Sequence, residues 1–144
     1  GYTIGRSTRR GRGVGGAVGP KDRQRRALMA QGPLWDNRIL GDQWSTKLFS
    51  HGLLRRAFAI SDTARIMKDY DVRAPGPDAL AGALSGGNQQ KLIIGREMTH
   101  NPKVLLAAHP TRGVGVGAQA AIWNHIKRPR REGLAVLLIS ADLD

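Results

Sequence analysis

The chain has no cysteine, which excludes a disulfide framework and a thiolate metal site and is compatible with the cytosol. No apolar run approaches the roughly 20 residues that a membrane-spanning helix needs. The N-terminus has no apolar core of a secretory signal. Any service at a membrane is therefore expected to run through a partner. Acids are scarce, with 11 Asp and Glu against 23 Lys and Arg and a formal net charge of +12. Aromatics are scarce as well, at 5%, and none interleaves with the N-terminal arginines, so there is little to stack on bases. What is present is 144 residues, 40% of them hydrophobic. That suits one packed domain rather than a disordered chain.

The most informative stretch is Leu84-Ser85-Gly86-Gly87-Asn88-Gln89-Gln90-Lys91, which runs into the amphipathic Leu92 to Met98 and stops at Asn101-Pro102. Ser85 is a good helix N-cap, because its hydroxyl can accept from an otherwise unpaired first-turn amide. Gly86 and Gly87 carry no side chains, so an anion can approach the backbone N–H groups, and the helix dipole favours negative charge there. The bland reading is an ordinary capped helix with flexible glycines. Downstream, Val104 to Ala108 is an apolar run between Pro102 and Pro110, short enough for a buried parallel strand. Gly117 to about Lys127 reads as a helix with Ala121, Ile122 and Ile126 on its apolar face, ended by Pro129. Ala135 to Ser140 reads as a second buried strand, which completes a right-handed βαβ unit.

The string from Leu84 to Lys91 resembles the signature motif of the ATP-binding subunits of ABC transporters, and its Asn-Gln-Gln-Lys form resembles importers for simple sugars and nucleosides. Lys103 to Gly113, with Pro110-Thr111-Arg112-Gly113, sits where that family has its Walker B strand and following loop. The resemblance implies an α/β fold: a partial P-loop NTPase of ABC type, with a parallel-sheet βαβ core and a helical subdomain. It implies that Ser85, Gly86, Gly87, Asn88 and Gln89 contact ATP held mainly by a sister nucleotide-binding domain. The implied partners are that domain, a transmembrane permease and, indirectly, a solute-binding protein, and the implied location is the cytoplasmic face of the cell membrane. Nucleic acid is not an expected partner.

Departures from the family pattern bear on mechanism. The positions of the metal-holding Asp and the catalytic Glu fall on Ala108 and His109, the D-loop Asp on Gly115 and the switch His on Ala141. The phosphate-gripping pattern G-x-x-x-x-G-K-S/T occurs nowhere in the chain, which the resemblance reads as lack of the first part of the domain. No catalytic or metal-binding residue is therefore expected here. Magnesium would be held only through the partner's site, and the chain alone would be inactive as an ATPase.

Three segments follow from this reading. Residues 1–26 are a basic Gly/Arg-rich stretch leading into the permease-sensing loop, where Lys21, Asp22 and Arg23 resemble the family's coupling segment, with Lys21 standing where Glu is usual. Residues 27–83 form the helical subdomain. Within it, Trp35 to Leu40 could make a short turn, and Leu53 to Tyr70 is expected to be a helix packing through Ala57, Ile60, Ala64 and Met67. Residues 84–144 carry the signature helix and the Walker-B-like unit. Gly11 to Gly16 matches G-x-G-x-x-G without the required strand and helix flanks. Gly113 to Ala118 fits G-x-G-x-x-A with Asp142 beyond the next strand, so a Rossmann-type dinucleotide-binding domain stays open as an alternative. So do a basic nucleic-acid-binding module and a purely structural interaction module.

Overall fold

The run Val104–Ala108 forms strand β4, and Ala135–Ile139 forms β5. They pair in parallel, with Val104 opposite Ala135 and Ala108 opposite Ile139. Helix α4 (Val116–Arg131) connects them, because parallel neighbours need a crossover and cannot be joined by a tight turn. The expected strand–helix–strand unit is thus in place. In this computed structural model, residues 3–7, 28–42, 44–102, 104–111 and 113–139 are described. A third strand, β1 (Thr3–Ser7), lies antiparallel against β4, giving the sheet order β1-β4-β5. The sequence reading assigned no strand there.

Helix α1 (Leu34–Ile39) follows Pro33, whose fixed φ suits a helix entry. The helix is tied at its start by Leu34 N–H to the Ala79 carbonyl and Trp35 N–H to the Pro77 carbonyl. A hairpin comes next, with β2 (Phe49–Ser50) and β3 (Leu53–Leu54) joined through His51 and Gly52. Both turn residues have positive φ, 49° and 78°, the requirement of the tight two-residue turn that matches strand twist. Helix α2 (Arg56–Asp69) then runs to Tyr70, and a 3-10 turn (Ala81–Ala83) leads into helix α3 (Gly86–Met98).

Two expectations shift here. The helix predicted over Leu53 to Tyr70 loses its first turn to the hairpin. Its buried face is Ala59, Thr63 and Ile66, whereas Ala57 and Ala64 are exposed and Ile60 and Met67 are half-buried. Thr63 fits the inward face because its hydroxyl donates back to the Ala59 carbonyl at 2.7 Å, so no polar group is left bare. In α4, Pro129 does not end the helix. It sits buried in the last turn, where its missing N–H costs one rung, and its own carbonyl accepts from Glu132 and Leu134.

Helix α3 is the centre of packing. From Gln90 to Glu97 every residue is buried, so this stretch has neighbours on all sides. Ile93 and Ile94 join Leu105, Ala107, Val114, Ile122 and Ile126 between sheet and helices. On the other side Leu92 joins Leu34, Ile66, Val72, Ala81 and Leu84. A third cluster, Ile39, Leu48 and Ala59, closes the hairpin onto α1 and α2.

Candidate nucleotide-facing site

At the start of α3 the Ser85 backbone is extended, and its hydroxyl oxygen accepts from Asn88 N–H at 3.4 Å and from Asn88 Nδ2 at 3.1 Å. The cap expected from the sequence is therefore formed. First-turn amides have no intrahelical acceptor, so those of Gly86 and Gly87 lie at the dipole's positive end. Ser85 and Gly86 are exposed, and the tip is open to a second molecule.

The glycines also have a task within the chain that sequence reading missed. A Cβ on Gly87 would come within 2.7 Å of the Ala118 Cβ on α4, and one on Gly86 would lie 3.0 Å from the Gly113 carbonyl oxygen. Gly87 is buried. Its missing side chain lets two helices approach, and only the Ser85–Gly86 side of the tip faces outward.

Asn88 and Gln89 are turned onto their own chain. The Asn88 side-chain Oδ1 accepts from Arg73 N–H at 3.0 Å, while Gln89 Nε2 donates to the backbone carbonyls of Ala81 (3.1 Å) and Leu84 (3.2 Å). Buried Lys91 donates to the Asp71 carbonyl at 3.0 Å and lies 3.6 Å from the Asp71 carboxylate. Asn88, Gln89 and Lys91 thus tie α3 to the segments 71–73 and 81–84 that precede it. They also set the exposed Arg73 beside the first turn, a placement no local pattern signals.

Beyond β4, His109 has a left-handed backbone, φ 47°, and Pro110 is buried. Gly113, φ 73°, carries the chain back toward α4, whose N-cap is Gly115. Neither Ala108 nor His109 brings a carboxylate to the strand end, and among the described residues no three His, Cys, Asp or Glu side chains gather as metal ligands. These residues do not fit a magnesium ion. The Gly113–Ala118 match to a dinucleotide turn lacks its geometry, since His109 to Arg112 separate strand from first glycine. Lys21, Asp22, Arg23, Ala141 and Asp142 lie outside the described residues.

Comparison with solved structures defines the class. The chain is similar to the dimeric bacterial ABC transporter cassette MJ0796, with a TM-score of 0.62 and 20% identity over 83% of this chain and 50% of that one. A nucleotide-free ATP-binding cassette from an ABC transporter gives 0.60 and 23%, over 80% and 47%. The fold is that of the ABC-type P-loop ATPase.

Sequence comparison narrows it. No family model matches. The guanosine import ATP-binding protein NupO of Bacillus subtilis is 39% identical over 125 residues, covering 87% of this chain. The xylose import ATP-binding protein XylG of Moorella thermoacetica is 34% identical over 127 residues, covering 88%. The ribose import ATP-binding protein RbsA of Yersinia pestis is 45% identical over 95 residues, covering 65%. The chain belongs to the ATP-binding subunits of ABC importers of the simple-sugar and nucleoside type. It spans about a quarter of the length of the curated relatives it matches, 24% of the guanosine subunit and 25% of the xylose one.

Proposed function

We propose that this chain supplies the signature face of a composite ATP site, offered to a nucleotide that a sister domain grips, and that it works in an importer for a simple sugar or nucleoside. The observation that carries this reading is a capped helix start, exposed at Ser85 and Gly86, beside a strand end with no metal-holding carboxylate. Bound ATP supplies the phosphate anhydride that such a site cleaves. Phosphoryl transfer depends mainly on positioning and charge stabilisation, and a helix start can lend both. Ser85 would offer its hydroxyl, and Gly86 and Gly87 their amides. Asn88 and Gln89 act in this reading by holding the tip. Magnesium is left to the sister domain. The segment 27–83 serves as the helical subdomain, and Lys21, Asp22 and Arg23 as the coupling segment toward a permease at the inner membrane face, with any solute-binding protein reached only through that permease.

The test is ATP turnover of the assembled importer carrying Ser85→Arg. The added side chain fills the outward space without touching the Gly87–Ala118 packing, so turnover should drop at least tenfold with the fold intact. Unchanged turnover overturns the role.

A further inference from the structure

Between Asp42 and Asp62 the sequence has no acidic residue, yet it carries Lys47, His51, Arg55 and Arg56. The structure turns this stretch into the loop and β2–β3 hairpin that lead into α2. Apolar side chains stand out from it. Trp44 is 94% exposed and Leu53 is 74% exposed, whereas Leu48 and Ala59 beneath them are fully buried and hold the lobe in place. Further bonds fix the presentation: the Ser45 carbonyl accepts from Leu48 and Phe49 N–H, and the Leu48 carbonyl accepts from Arg55 N–H at 2.7 Å. The Arg55 guanidinium lies over the Phe58 ring and that of Arg56 over the Trp35 ring of α1, whose Nε1 donates to Asp78.

An exposed indole and leucine in a stretch whose only charges are positive match an interfacial surface, where aromatic rings settle at headgroup level and each basic group is drawn to anionic lipid. We propose that the Trp44–Arg56 lobe inserts directly into the headgroup layer of an anionic phospholipid membrane. This is a contact of the chain itself with lipid, separate from any attachment through a permease, and it does not rest on the ATP reading. A lipid surface is favoured over a protein groove because the only charges between Asp42 and Asp62 are positive and Trp44 and Leu53 are largely bare.

The experiment uses the full chain with Trp35→Phe and Trp123→Phe, which leaves Trp44 as the one tryptophan. Its emission is followed on titration with vesicles of equimolar phosphatidylglycerol and phosphatidylcholine, and with phosphatidylcholine alone. The expected result is a blue shift with the anionic vesicles only, and quenching by bromine on the upper acyl chain. Lys47→Ala should weaken partitioning about fivefold, the share of one basic group near the surface. Leu53→Ser should weaken it by at least that much. If the double Phe variant fails to fold, the wild-type chain and Trp44→Phe give the same comparison, because only the wild type should lose emission to brominated lipid. Binding without any change at Trp44 would place the contact on other basic groups of the chain and overturn the proposal. An emission shift caused by detergent-solubilised permease and not by vesicles would assign the lobe to a protein and overturn it too.

Discussion

Arg38 is only 6% exposed, yet it reaches two carboxylates at 2.7 Å, Asp42 through one terminal nitrogen and Asp62 through Nε. Burial alone would raise the Asp62 carboxyl, but the hydrogen bonds from Arg38 and Arg65 outweigh it and hold the pKa below the ordinary value. Removing the arginine would take a 2.7 Å contact from each of two largely buried carboxylates, with Arg65 still on Asp62 and His100 beside Asp42. Arg38→Ala should therefore destabilise the fold by about 3–5 kcal/mol, read as a lower urea midpoint. His125 has the opposite balance. Burial, then the charge of Lys91, push its pKa below 6.5; the hydrogen bond to the Tyr70 backbone and the charge of Asp71 only partly offset this, and Arg128 adds to the lowering. Below 6.5 the unfolded chain takes up this proton before the folded one does. The stability tied to neutral His125 is thus complete above pH 6.5 and falls as pH drops toward the lowered value. The urea midpoint should decline over that window, and His125→Phe should flatten the decline.

At the scale of elements, the helices meet through missing side chains. A Cβ on Gly95 would run into Ile66 and come within 2.9 Å of the Tyr70 ring, and one on Gly87 would meet Ala118. Alanine is the better helix former by about 1 kcal/mol, so an exposed site would gain from the change. Here Gly95→Ala and Gly87→Ala should each lower the thermal midpoint, because overpacking costs roughly 1–3 kcal/mol. This also explains what could be read from the sequence. The capped start of α3 and the paired strands β4 and β5 were legible, since a Ser-Gly-Gly cap and short apolar runs between prolines are local signals. The inward face of α2 was not, because Ala59, Thr63 and Ile66 are chosen by the helices they meet and Thr63 becomes apolar only through its bond to Ala59. Nor was the β2–β3 turn: His51 takes a left-handed backbone that a Gly or Asn would have announced more plainly. The Gly86–Gly87 pair was legible as a cap but not as a helix contact, because Ala118 lies far along the chain.

For the whole molecule, the described residues hold a capped helix tip exposed at Ser85 and Gly86, and no metal-binding cluster. The phosphate-gripping pattern is also absent from the sequence. Restoring the two strand-end carboxylates should therefore not create an enzyme. The chain by itself, with Ala108→Asp and His109→Glu together, is expected to release no phosphate above background in a coupled assay with ATP and magnesium.

The burial of α3 from Gln90 to Glu97 has a mechanical consequence. A rod packed on all sides resists rolling, and its two ends, Ser85 at one and Thr99 and His100 at the other, are joined along its length. His100 lies 3.1 Å from the Asp42 carboxylate that Arg38 also holds. The packed helix thus links the tip, through His100 and Asp42, to the base of the lobe that bears Trp44, a helix-length away.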